Sequence, residues 1–212
     1  MDVLDSQRQV SGVCFDLLLQ ELVPLSLRVS HFDDKKGQLQ ESDKDYQTRI
    51  DTKLLQLDGD YPGTVAIYDS KTLNEDEETL KVEAYGYSTG LRLTEVLMYK
   101  AGNLLNKIVD ILDIMKFVCR DVWKCLFNKQ MDNLRTNHRG TFVLIDNEHR
   151  LISRLNSSKG NPDSISKARS YLWFSCGLIR GVLMSFGVEA HVSAEISQFP
   201  SVIFNIQTTI NN

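Results

Sequence analysis

The side chains in this 212-residue chain best suited to hold a metal or move a proton are four histidines and four cysteines. The histidines are His31, His138, His149 and His191; the cysteines are Cys14, Cys119, Cys125 and Cys176. Their spacing supports neither task. There is no His-x-x-x-His pair and no Cys-x-x-Cys pair, so the ligand spacings of zinc sites are missing. Cys119 and Cys125 are six apart in a helical pattern and point to different sides. No Gly-x-Ser-x-Gly, Gly-x-x-x-x-Gly-Lys-Ser/Thr or Gly-x-Gly-x-x-Gly occurs. Cys119-Arg120-Asp121 is only superficially like a kinase catalytic loop, because it sits inside a helix without the rest of that set. The expectation is a chain with no catalytic residue, no metal and no cofactor. Arg135, His138 and Arg139 form one basic cluster on a turn. It is either a solvated turn or a contact for an acidic partner or anionic lipid heads. Arg180 lies in an apolar helix and needs a carboxylate or several carbonyls beside it.

Composition narrows the class. The chain is 42% apolar and 25% charged, ordinary values for a globular protein, and long enough for one sizeable core. A net charge of -4 argues against general nucleic-acid binding, which needs a cationic surface. The cysteines all fall in apolar helical patterns and read as free buried thiols of a reducing compartment. Met1 to Gln9 is too polar for a secretory signal, and Tyr171 to Phe186 is too short and too interrupted to span a bilayer. The expectation is a soluble cytosolic protein.

The elements follow from periodicity. Arg8 to Arg28 reads as a helix with two apolar faces, one through Val10, Cys14, Leu17 and Leu18, the other through Phe15, Leu19 and Leu22. Two neighbours, the chain's own core and a partner, explain this; so does complete burial in one domain. Pro24 should kink or end that helix. Ser30 to Glu83 is acidic and polar, an insertion that is either loosely structured or an acidic docking segment, with one strand-like run at Gly63 to Asp69. Leu80 to Tyr99 is a second helix, in which Gly86 and Gly90 share one side and let another backbone come close. Leu104 to Gln130 is the central helix, with a narrow polar stripe of Asp113, Lys116, Arg120 and Lys124. Asp132 to Gly140 reads as a turn, Thr141 to Ile145 as a strand, Asp146 to His149 as a hairpin turn and Leu151 to Leu155 as its return strand. Ser164 to Phe186 is the last helix, capped by Gly187. Strands at Ala190–Ile196 and Val202–Ile210 follow. The order predicts one domain over residues 1–212, interrupted at about 30–83. Its class is α+β, a helical layer on a small antiparallel sheet.

Several segments together carry a family resemblance. Tyr85-Gly-Tyr-Ser-Thr-Gly-Leu-Arg-Leu resembles the aromatic-glycine helix of the TRAPP small subunits of the Bet-three superfamily. Leu112-Asp-Ile-Met-Lys-Phe-Val-Cys-Arg-Asp-Val-Trp-Lys is similar to the central helix of one branch, TRAPP subunit six. Lys129-Gln-Met-Asp-Asn-Leu-Arg-Thr-Asn-His-Arg-Gly-Thr-Phe is close to that branch's turn, and Glu21-Leu-Val-Pro-Leu matches its first helix. Cys176-Gly-Leu-Ile-Arg-Gly-Val-Leu is similar to the superfamily's last helix. The likeness spans most of residues 8–29 and 84–210, not the insertion.

The resemblance implies the Bet-three-like fold and a flat dimer interface on the first two helices. Carried onto this chain, that interface is Val10, Cys14, Leu17, Leu18 and Leu25 with Leu91, Leu93 and Val96. It implies a heterodimer with the Bet-three-type subunit and membership, with other TRAPP subunits, of a tethering complex. That complex exchanges guanine nucleotide on a Rab GTPase in transport between endoplasmic reticulum, Golgi and endosomes. The chain itself would be a non-catalytic assembly subunit, cytoplasmic and peripheral on Golgi and endoplasmic reticulum membranes only through the complex. The alternative is a small-molecule or acyl-chain-binding domain. The Bet-three subunit carries an acylated cysteine just before its central helix. Here Lys100 to Val109 holds Leu104 and Leu105 and no cysteine, so no acyl chain and a core filled by side chains are expected.

Overall fold

The computed structural model describes residues 11–35, 65–66, 75–101, 108, 110–137, 140–157 and 160–209, without the side chains of 27–35, 65–66, 75–78 and 100–101. Helix α1 is Gly12–Lys35, β1 is Val65–Ala66 and α2 is Glu75–Ala101. Helix α3 runs through three segments, Ile111–Phe117, a π-helical Val118–Val122 and Trp123–Phe127. Then come β2 (Asn133–Thr136), β3 (Thr141–Asp146), the short helix α4 (Arg150–Ser153) and β4 (Leu155–Asn156). Helix α5 (Asn161–Ser185) and strands β5 (Ala190–Gln198) and β6 (Ser201–Thr208) complete the order.

Helices α2 and α5 cross at glycines, and this crossing organises the helical layer. A β-carbon on Gly86 would run into the Phe174 carbonyl oxygen, and one on Gly90 into that of Leu178. In return, a β-carbon on Gly177 would meet the Glu83 carbonyl and one on Gly181 that of Tyr87. The two backbones therefore touch, as the glycine spacing in α2 predicts. Arg180 at this crossing bonds Glu83 at 2.6 Å and lies 5.0 Å over the Tyr87 ring. It thus has the carboxylate its setting demands.

Helix α3 begins where the Asp110 carboxylate accepts the Asp113 N–H at 3.0 Å, and ends at Asn128 in the left-handed region. Its widened turn has a local cause. The Trp123 N–H reaches back to the Val118 and Arg120 carbonyls, which leaves the Cys119 carbonyl to accept the Met131 N–H at 3.0 Å. Met115, Val118, Val122 and Trp123 are fully buried, whereas Lys116, Arg120 and Lys124 are exposed, as the polar stripe predicts.

The sheet is antiparallel, in the order β2-β3-β6-β5. Alternation decides its inner face: Phe142 and Leu144 of β3, Val192 of β5, and Val202, Phe204 and Ile206 of β6 are buried together. The α+β architecture and its antiparallel sheet are those the element order predicts.

Four local readings change. Pro24 does not end α1, which continues to Lys35; likewise α2 starts at Glu75, so the insertion is narrower than 30–83. The polar run read as one long turn contains β2, which pairs Asn133–Thr136 with β3; the turn itself is short, with Asn137 Oδ1 accepting the Thr141 N–H and Gly140 at φ 80°. Leu134 is the strand's one large apolar residue, too little for a period-two signal. Leu151 to Leu155 is not a return strand. The His149 carbonyl accepts N–H groups from Ile152 and Ser153, which starts a helical turn, and Leu155–Asn156 then pairs in parallel with Val65–Ala66. Strand β3 takes its second neighbour, β6, from about sixty residues away. Finally, two of the cysteines read as buried, Cys14 and Cys125, are exposed.

Candidate functional site

Two places combine residues in ways that bear on function: a buried polar node and an exposed apolar face. The node forms where β3 runs into α4. Asp146 ends the strand, and His149 sits three residues on as the N-cap of α4. The Trp123 indole N–H donates to Asp146 Oδ2 at 2.9 Å, and His149 Nδ1 lies 2.9 Å from the same oxygen. His149 Nε2 is 3.1 Å from Ser175 Oγ on α5, and the Lys129 ammonium bonds Asp146 Oδ1. Burial alone would raise the Asp146 carboxyl. Hydrogen bonds and charge from His149, with bonds from Lys129 and Trp123, outweigh it and hold the group at about 2. A carboxylate only accepts, so Nδ1 carries a proton.

Ser175, His149 and Asp146 thus stand in the order of a nucleophile, base and orienting acid. The spacing of histidines gave no sign of it, because the serine comes from a helix distant in sequence. The available signal was Asp146-x-x-His149, two residues that close a strand and cap a helix. The arrangement is not a reaction centre. Asp146, His149 and Ser175 have no exposed surface, and the rings of Trp123, Phe127 and Phe204 pack around the imidazole at centroid distances of 5.7, 5.0 and 5.6 Å. A nucleophile must touch its substrate. Here the hydroxyl touches the histidine that joins β3, α3, α4 and α5. The His149 backbone N–H also donates to the Pro200 carbonyl, which adds the β5–β6 turn. The node's work is structural.

The exposed face lies on α1 and α2. Val13, Cys14, Leu17, Leu18 and Leu25 form one stripe of α1 that points away from the core, with Leu17 54% and Leu18 61% exposed. The opposite stripe is Leu19 and Val23, buried, with Phe15 and Leu22 packed on the core. Asp16, also turned inward, accepts from Arg150 Nη2 at 2.8 Å and Arg154 Nη1 at 3.3 Å, which fixes the helix's rotation. On α2, Val96 (49%) and Tyr99 (75%) are exposed, Leu91 is half-buried and Leu93 packs against the core. Val10 lies outside the described residues. So do His138 and Arg139; Arg135 is exposed, on β2 rather than on a turn.

Among the described residues no three His, Cys, Asp or Glu side chains gather as a metal set, and no helix is long and apolar enough to cross a membrane. One pocket, of about 10 Å³, lies between Asp16, Gln20, Phe127 and Arg150; a groove of about 340 Å³ lies beside Tyr87, Arg180 and Met184. Neither is a long apolar channel. Leu104 and Leu105 lie outside the described residues.

The thiols divide accordingly. Burial pushes Cys119 and Cys176 up to about 12, with the charge of Glu83 adding to it at Cys176. Maleimide treatment of the native chain at neutral pH is expected to modify Cys14 and Cys125 alone. Intact mass should show two adducts, rising to four after denaturation. A third native adduct would contradict the packing around α3 or α5.

Comparison with known proteins gives concordant results. The family described as transport protein particle (TRAPP) component matches residues 15–210. Trafficking protein particle complex subunit 6B of Mus musculus is 43% identical over 126 residues, which is 59% of this chain and 75% of that protein. Subunit 6A of Bos taurus is 37% identical, over 57% of this chain and 79% of its own length. Among solved structures, trafficking protein particle complex subunit 3 from Naegleria fowleri, covalently bound to palmitic acid, superposes with a TM-score of 0.58. That match covers 95% of this chain and 98% of the other; at 13% identity it speaks to the fold.

Proposed function

Because the chain belongs to the TRAPP component family, in its subunit-six branch, we propose that it is a non-catalytic assembly subunit. It pairs with a Bet-three-type subunit through the outward stripes of α1 and α2. The complex so built tethers vesicles and exchanges guanine nucleotide on a Rab GTPase, in transport between endoplasmic reticulum, Golgi and endosomes. The chain is one domain with an insertion between α1 and α2, and it reaches Golgi and endoplasmic reticulum membranes from the cytoplasm through its partners.

The observation that carries this reading is the two-sided α1. One stripe is committed to the core, and its rotation is held by Asp16 with Arg150 and Arg154. The other leaves Val13, Leu17, Leu18 and Leu25 in water. Burying each such side chain contributes about 1.5–3 kcal/mol, so a partner that covers the stripe gains strongly. Apart from the Cys14 thiol the stripe is aliphatic, which suits an assembly role.

Co-expression with a Bet-three-type subunit, followed by size-exclusion chromatography with light scattering, tests it. The expected result is a one-to-one pair in which Cys14 no longer reacts with maleimide while Cys125 still does. Leu17→Asp with Leu18→Asp is expected to weaken pairing by roughly a hundredfold or more, since carboxylates would enter an apolar interface. Helical circular dichroism of the free variant should stay unchanged, because both positions are exposed. A stable monomer that ignores the partner, or full pairing by the double variant, would overturn the reading.

A further inference from the structure

Helix α1 carries apolar side chains on two sides, and burial alone does not choose between them. Phe15, Leu19, Leu22 and Val23 face the core, while Leu17 and Leu18 belong to an outward stripe that is also apolar. Rolled over, the helix would bury the second set in place of the first, at a similar gain per side chain. What separates the two rolls is polar. Asp16 lies on the inward side and is 9% exposed, whereas Glu21 lies on the outward side and is exposed. The opposite roll would carry Glu21 toward the core and take Asp16 from its partners.

Those partners are placed by distant parts of the chain. The His149 carbonyl starts α4, and Arg150 and Arg154, four residues apart, leave that turn on the same side. Arg150 Nη2 and Arg154 Nη1 both donate to Asp16 Oδ2, at 2.8 and 3.3 Å. Arg150 Nη1 also donates to the Phe127 carbonyl at the end of α3, at 3.3 Å, so the guanidinium is itself held from a second side. The cavity between Asp16, Gln20, Phe127 and Arg150 is about 10 Å³, room for no more than one water. Charge-assisted bonds are directional, and apolar burial is not.

Building on the α1–α2 pairing given above, we propose that Asp16, Arg150 and Arg154 are the positioning residues of that pairing surface. They select the roll of a helix with two apolar sides, and so decide that the side of Leu17 and Leu18 is the one a partner meets. Setting register between near-equal apolar packings is the best-attested use of a buried polar contact. The partner binds only chains with that side outward, so their fraction sets the apparent affinity. The same fraction sets how fast Cys14, on that side, reacts with a reagent in water.

Two variants of the full chain test this. Asp16→Leu removes the carboxylate and keeps a good helix former. Arg150→Met with Arg154→Met removes both guanidiniums and leaves α1 untouched. Each is expected to raise the Kd for a Bet-three-type subunit about tenfold, and to slow the maleimide reaction of Cys14 in the free chain by the same factor. Cys125, on α3, should keep its rate, and helical circular dichroism should not change. All three substitutions together should cost far less than the product of the two effects, because they remove one shared interaction. Where one variant fails to fold, the other carries the test. An unchanged Cys14 rate would overturn the proposal, whether pairing is kept or weakened, since weaker pairing alone would mean that these residues touch the partner directly. Slower Cys14 with an unchanged Kd would count against the pairing reading alone, as would full pairing by Leu17→Asp with Leu18→Asp.

Discussion

Gly177→Ala is expected to destabilise the chain by about 3 kcal/mol, and Gly177→Val to leave little folded protein. Alanine is ordinarily the better helix former, by about 1 kcal/mol. At this position its methyl group would occupy the space of the Glu83 carbonyl on α2. Both partners in that clash are backbone, so no side chain can rotate away. The helices would have to separate, and separation would open the row at Gly86, Gly90 and Gly181, where each β-carbon position also meets backbone. It would also pull Glu83 from Arg180. Urea unfolding followed by circular dichroism measures the effect. Gly187→Ala is a useful contrast: Gly187 takes φ 76° at the end of α5 with open space around it, so the cost there is backbone strain alone, about 1 kcal/mol. A Gly177→Ala variant as stable as the parent chain would falsify the close crossing.

Asp146→Ala carries the second large effect, about 3–5 kcal/mol, or roughly a 10 °C fall in Tm for a chain of this size. The substitution leaves the Trp123 indole N–H and His149 Nδ1–H buried without an acceptor, and the Lys129 ammonium without its charge partner. Asp146→Asn keeps an acceptor oxygen but not the charge, and should cost less. The same carboxylate gives a pH dependence whose sign is set by its lowered value. Asp146 titrates at about 2 in the folded chain against 3.8 ordinarily. Its contribution, about 2 kcal/mol, is complete above pH 4 and is lost as pH falls toward 2. Stability measured from pH 5 to 2 should fall more steeply for the parent chain than for Asp146→Asn. Parallel curves would mean that the node does not hold the carboxylate charged.

How much was legible depended on how far apart the contributing residues lie. The two apolar faces of α1 were readable, because Cys14, Leu17 and Leu18 and the opposing Phe15, Leu19 and Leu22 fall within a few turns of one helix; which face turns to the core was decided by tertiary contacts, with Leu19 and Val23 buried and Leu17 and Leu18 exposed. The inner face of β6 was readable for the same reason, from Val202, Phe204 and Ile206. The short strand β2 was not, since four residues with one large apolar side chain carry almost no periodicity. The segment after Asp146 was misread as a hairpin because Leu151, Ile152 and Leu155 suit a strand or a helical turn equally. The His149 carbonyl decided it, by capping the turn.

By itself the sequence determined the helices, the main strands, the α+β class, and, through motifs of local spacing, the TRAPP resemblance that the comparisons bear out. These are consequences of periodicity, capping and residue type over ten or so neighbouring positions. Only the tertiary structure decided the rest. It set the glycines of α2 against those of α5 and joined Ser175 to His149, Asp146 and Trp123 inside the core. Those relations depend on residues far apart in the chain meeting in space, and no local pattern encodes which distant neighbour a side chain will meet.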